Sequence, residues 1–118
     1  MGQSGPVIGI IGIGYEASVG CNLSSHLAAS ADALGIEGIL LNNGDAQPGE
    51  KRFEHVKDHI NGHLREYIEK THLEKNVRYA SATDIAREAD ISFICYENSG
   101  GAAHGLPFWE QDFRKKLF

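Results

Sequence analysis

Residues able to do chemistry fall in four groups along this chain. Gly12 and Gly14 end an apolar, β-branched run, Val7 to Ile13, and Gly20-Cys21-Asn22 follow close behind. Such a loop lets the backbone approach an anion with no Cβ in the way, and the helix after it offers N–H donors and partial positive charge. A second group, Asn42-Asn43-Gly44-Asp45, closes the apolar run Gly38 to Leu41 and forms a turn where a ligand's sugar could sit. A third, Ser99-Gly100-Gly101 with Gly105, follows the run Ile91 to Tyr96. The fourth is His55, His59 and His63, spaced to share one helix face, either as metal ligands or as a solvated flank. Cys21 opens a helix, where a thiol becomes more acidic. No base stands beside it in sequence, so a small packing residue that admits phosphate is the plainer reading. His26 and His104 lack a triad pattern, and no Gly-x-Ser-x-Gly elbow occurs.

The elements that must position these groups alternate. The strand Val7 to Ile13 leads to a helix whose apolar residues Leu23, Leu27, Ala31 and Leu34 line one face, closed by Gly35. A second strand, Gly38 to Leu41, precedes a long helix carrying Phe53, Val56, Ile60, Leu64, Tyr67 and Ile68 on one stripe through Gly62. Glu66 and Lys70 are an i,i+4 pair on its wet side. Val77 to Ala80 reads as a brief strand, and Thr83-Asp84 as the cap of a short helix, Ile85 to Ala89. The nearly continuous apolar run Ile91 to Tyr96 predicts a buried parallel strand. Pro107 suits the first turn of a last helix with Trp109, Phe113 and Leu117 on one face. The fold class predicted is α/β, a Rossmann-like three-layer fold with a mostly parallel sheet and helices on both faces. All three loops then converge at the strands' carboxyl ends, where such sheets bind ligands.

At 118 residues, 42% hydrophobic and 23% charged, positions 1–118 read as a single nucleotide-binding domain, or as the front part of a longer fold given the apolar ending Leu117-Phe118. A net charge of −5 argues against a nucleic-acid surface, which needs clustered Lys and Arg. The apolar run Val7 to Ile13 is far too short to span a membrane. Two cysteines, Cys21 and Cys95, in segments read as interior fit a reducing, cytoplasmic setting.

Taken in order, Gly12-Ile-Gly14, Gly20-Cys21-Asn22, Asn42-Asn43-Gly44-Asp45, Ala89 to Tyr96, and Ser99-Gly100-Gly101 with Gly105 resemble the GTP-binding half of the tubulin/FtsZ superfamily. The resemblance implies that the first and third loops hold the phosphates of GTP, with Asn42, Asn43 and Asp45 near nucleotide and Mg²⁺. It also implies self-association or a partner subunit, since that family completes its hydrolytic site with an acidic loop from the next subunit. This chain would be GTPase-like at most, contributing to filament assembly.

A second resemblance runs through Gly12-Ile-Gly-Tyr15, Val77 to Ala80 and Thr83 to Cys95, which look like the NAD-binding domain of UDP-glucose and GDP-mannose dehydrogenases. That family places a strand and a short helix ahead of its fourth core strand. An Asp or Glu is expected at the end of the second strand to bind the ribose hydroxyls, and Asn42-Asn43 stand there instead. A third reading is a degenerate fold kept for protein contacts.

Overall fold

A computed structural model describes residues 5–15 and 18–95. In chain order its elements are β1 (Val7–Ile11), α1 (Val19–Ala29), α2 (Ala31–Leu34), β2 (Gly38–Asn42), α3 (Lys51–Asn61), α4 (Arg65–Thr71), β3 (Val77–Tyr79), α5 (Ala82–Glu88) and β4 (Ile91–Ile94). The strands form one sheet in the order β3-β2-β1-β4, every neighbouring pair parallel. Val7 lies opposite Gly38 and Ile11 opposite Asn42, so β1 and β2 end level, with their loops side by side.

Two apolar clusters sandwich the sheet. Ile8 and Ile10 of β1 and Ile39 and Leu41 of β2 meet Cys21, Ala28, Ala31, Val56, Leu64 and Ile68, which puts α1 to α4 on one face. Ile11 and Leu40 point the other way, onto Ala82, Ile85, Ala86 and Ala89 of α5 and its flanks. The alternation follows from the period-2 side-chain geometry of a strand, and the double cover explains why these strands read as unbroken apolar runs. The fold is therefore α/β and Rossmann-like. The chain steps outward from β1 to β2 to β3, then returns across to β4 on the far side of β1. The reversal point between β1 and β4 is where open sheets of this kind leave a ligand crevice at the strands' carboxyl ends.

Several local expectations need correction. Helix α1 starts at Val19, capped by Ser18, whose hydroxyl accepts from the Cys21 N–H at 3.1 Å. Of the expected face, Ala31 is buried and Leu23 and Leu27 pack against the core while Leu34 is 58% exposed, and the small residues Gly20, Cys21, Ser24 and Ala28 form the buried side. The long helix expected through Gly62 is two: α3 ends there with Gly62 at φ −103°, ψ −80°, and α4 restarts after Leu64. The break re-aims the stripe so that Leu64 and Ile68 are both buried. Helix α5 begins earlier than Thr83-Asp84 suggested, with Ser81 as its cap accepting from the Asp84 N–H. Strand β4 is also less enclosed than its sequence implies, since Ile91, Phe93 and Ile94 are 50%, 38% and 37% exposed. Among the described residues β4 pairs only with β1, which leaves it at the sheet's edge. The expected Pro107 helix lies outside the described residues.

Candidate functional site

The three glycines of the β1–α1 connection each meet a different steric demand. Gly12 has φ +93°, and a Cβ there would collide with the Cys95 carbonyl oxygen at the end of β4. Its N–H donates to the Asn42 carbonyl at 2.8 Å, so the ends of β1, β2 and β4 are drawn together at this residue. Gly14 takes a left-handed backbone at φ +69°, where a Cβ would be strained and would press on the Ser18 side chain at 3.0 Å. Gly20, in the first turn of α1, faces the backbone of Gly12, whose carbonyl oxygen a Cβ would strike. The loop is tied down by the Ser18 hydroxyl, which donates to the Ile13 carbonyl and caps α1. The first turn of α1 thus points its N–H groups across the carboxyl end of β1.

The turn after β2 braces this loop. The Asn43 carboxamide pairs with both backbone groups of Gly14, Oδ1 accepting from its N–H and Nδ2 donating to its carbonyl, each at 3.2 Å. Asn42 is fully buried and turned away: its Nδ2 donates to the Ala80 carbonyl at 2.7 Å, and its Oδ1 accepts from the Asp45 N–H at 3.0 Å. Asp45 adopts a left-handed backbone at φ 56°, and its Oδ1 accepts from the Ala82 N–H at 2.7 Å and from Asn42 at 3.2 Å. Asn42 and Asp45 therefore stitch β2 to β3 and α5. Gly12, Gly14, Gly20 and Asn43 gather at the carboxyl ends of β1 and β2, Cys21 is buried in the first turn of α1, and Asn22 stands on the exposed side of α1. Ser99, Gly100, Gly101 and Gly105 lie outside the described residues.

A base does stand beside Cys21, 38 positions away in sequence. His59 is 1% exposed, with Nδ1 3.2 Å from the Cys21 sulfur and Nε2 2.7 Å from the Ser24 hydroxyl oxygen. The Ser24 hydroxyl donates to the Cys21 carbonyl at 2.8 Å, so its proton is taken. That assigns the His59 proton to Nε2, donating to Ser24, and leaves Nδ1 to accept from the thiol. Burial pulls the His59 pKa down to about 4, helped by the charges of His63 and His55, so the ring is neutral near pH 7. The network pins α3 to α1 directly under the glycine loop.

The histidine row continues outward. His55 packs its ring 5.6 Å from that of Tyr15 in the loop, and His63, on the far side of His59, is exposed. Among the described residues no three metal-capable side chains converge. The solvated-flank reading holds for His63 alone.

A cleft of about 550 Å³ opens on the other side of the β2 turn, walled by Ala46, Pro48, Phe53, Tyr79 and Ser81. Phe53 meets Tyr79 edge-on at 4.7 Å, and the Tyr79 hydroxyl donates to the Ala46 carbonyl at 2.7 Å. Burial, with the Asp45 charge, pushes the Tyr79 pKa up to about 12, which keeps it a neutral donor.

Comparison with known protein families, with curated proteins and with solved structures finds no match. The sheet order, with glycines at its switch point, defines a Rossmann-like α/β fold. No described helix is long and apolar enough to cross a membrane.

Proposed function

We propose that this chain binds a dinucleotide of the NAD type, with the pyrophosphate over the first turn of α1. The observation that carries the reading is the division of labour among Gly12, Gly14 and Gly20. Gly12 makes the turn, Gly14 takes the left-handed backbone that Asn43 braces, and Gly20, three positions later than the third glycine of a G-x-G-x-x-G loop, fills that glycine's role of letting helix and strand touch. The sheet order β3-β2-β1-β4 and the β3–α5 crossover ahead of β4 support it further. The N–H groups of Val19 and Gly20 at the start of α1 would neutralise the phosphates, while the Gly12 and Gly14 N–H groups, given to the Asn42 carbonyl and the Asn43 carboxamide, hold the loop in shape. Bound there, the nicotinamide would supply hydride transfer. The described residues contribute binding and positioning, since Cys21 and His59 are 5% and 1% exposed. Cys21 and Cys95, neither of them in a disulfide, suit a reducing cytoplasmic setting.

The reading as a tubulin/FtsZ-like GTP site would use the same loop and place Mg²⁺ near Asp45. Its Oδ1 already serves Ala82 and Asn42, which is why the dinucleotide is preferred. Thermal unfolding separates the two. At a hundred times its Kd a ligand adds about 2.7 kcal/mol, which raises the Tm by roughly 10 °C in a domain of this size. A rise with NAD(H) or NADP(H) supports the proposal. A rise with GTP and Mg²⁺ alone supports the alternative, with light scattering then reporting any filament, and no rise with either leaves a scaffold for protein contacts.

A further inference from the structure

We infer that the bound dinucleotide carries a 2′-phosphate, so that the chain selects NADP(H) over NAD(H) through Arg52; this rests on the dinucleotide reading above. In folds of this order the residues just past the second strand read the adenosine ribose. A carboxylate there accepts from the free hydroxyls, whereas a nearby arginine accommodates a 2′-phosphate. Here β2 ends in two neutral amides, and neither is available: Asn42 is buried against Ala80 and Asp45, and Asn43 is paired with Gly14. The carboxylate of the turn, Asp45, has its Oδ1 turned onto the Ala82 N–H and Asn42.

The cation is in place. Arg52, in the first turn of α3, reaches back over the turn so closely that a Cβ on Gly44 would lie 3.0 Å from Nη1. Its Nη2 donates to Glu50 at 2.9 Å, and both side chains are about half exposed, 49% and 42%. A guanidinium donates to phosphate and carboxylate alike, so a 2′-phosphate would compete with Glu50 for Nη2, while Glu50 itself stays anchored through Oε1, which accepts from the Gln47 N–H at 3.0 Å. Lys51 and the amino-terminal end of α3 add positive potential beside it. Three carboxylates share this turn: Glu50 on Arg52, Asp45 on the Ala82 N–H and Asn42, and Glu54, which pairs with Lys57 at 3.7 Å and accepts from the Gly49 N–H. The cleft walled by Phe53 and Tyr79 adjoins the same turn at Asp45 and gives the adenine an apolar wall.

Calorimetric titration of the whole chain with NADPH and with NADH, repeated on Arg52→Ala, tests this. Arg52 is about half exposed and its ion pair with Glu50 lies at the surface, so the variant is expected to fold, which its circular dichroism and Tm report. The wild type should bind NADPH at least about tenfold more tightly than NADH, and Arg52→Ala should cost NADPH about ten- to a hundredfold while leaving NADH within about twofold. NADH binding as tightly as NADPH in the wild type overturns the inference and leaves the dinucleotide reading standing. So does a preference for NADPH that Arg52→Ala does not reduce. Absence of binding by either overturns both.

Discussion

Acid should loosen this protein at one identifiable place. His59 is held neutral between α3 and α1, with its pKa lowered from 6.5 to about 4 by burial first and by His63 and His55 second. An unfolded chain takes up this proton at the ordinary pKa, so the unfolded state binds it first as pH falls. The stabilising effect is complete above pH 6.5, declines from there toward pH 4, and levels off below. A shift of about 2.5 units at about 1.4 kcal/mol per unit amounts to roughly 3 kcal/mol in full, about 2 kcal/mol of it between pH 7 and pH 4.5. That is a large share of the 5–15 kcal/mol by which domains are typically stable. Urea unfolding at pH 7, 5.5 and 4.5 measures the loss, and the same series on His59→Gln, which cannot titrate, subtracts the carboxylates. The variant should start less stable, because Cys21 and Ser24 lose their partner, yet change less with pH by about 2 kcal/mol. Equal pH dependence in both proteins, or an NMR resonance assigned to the His59 ring that titrates near 6.5, would refute the reasoning.

Other substitutions have equally definite outcomes. Gly20→Ala sets a methyl against the Gly12 carbonyl and should cost about 1–3 kcal/mol in urea unfolding while abolishing the ligand-induced Tm rise. Asn43→Ala removes both bonds to Gly14 and should cost roughly 2 kcal/mol, with dinucleotide affinity falling about tenfold as the loop loses its brace. Glu66→Gln, which breaks the exposed 3.0 Å pair with Lys70, should move stability by less than about 0.5 kcal/mol, and a larger effect would mean α4 is held differently.

The layer architecture was legible because β1 and β2 are covered on both sides and so leave unbroken apolar runs. Gly35, at φ +67°, also closes the α1–α2 segment where the sequence placed a stop. What misled was size. Periodicity weights Leu23, Leu27 and Leu34, yet the sheet is met by Gly20, Cys21, Ser24 and Ala28, whose smallness lets α1 approach. Gly62 sat inside a good apolar stripe, and only packing decides that the stripe must turn there so that Leu64 can be buried. That Gly12 and Gly14 end β1 and turn the chain toward α1 was readable from spacing, whereas the bonding of the polar turn was not. Asn42 and Asp45 look ligand-facing in sequence, but the buried backbone groups of Ala80 and Ala82 need partners, and these side chains supply them. The Cys21–His59 contact joins residues on α1 and α3 through tertiary packing, which no local pattern encodes.

Amide NMR during titration with NADPH tests the central claim most directly. Shifts should concentrate at Gly12, Gly14, Val19 and Gly20 and be reproduced, at those amides, by NADH at higher concentration. Shifts that spare this loop, or that arise only with GTP and Mg²⁺, would contradict the account.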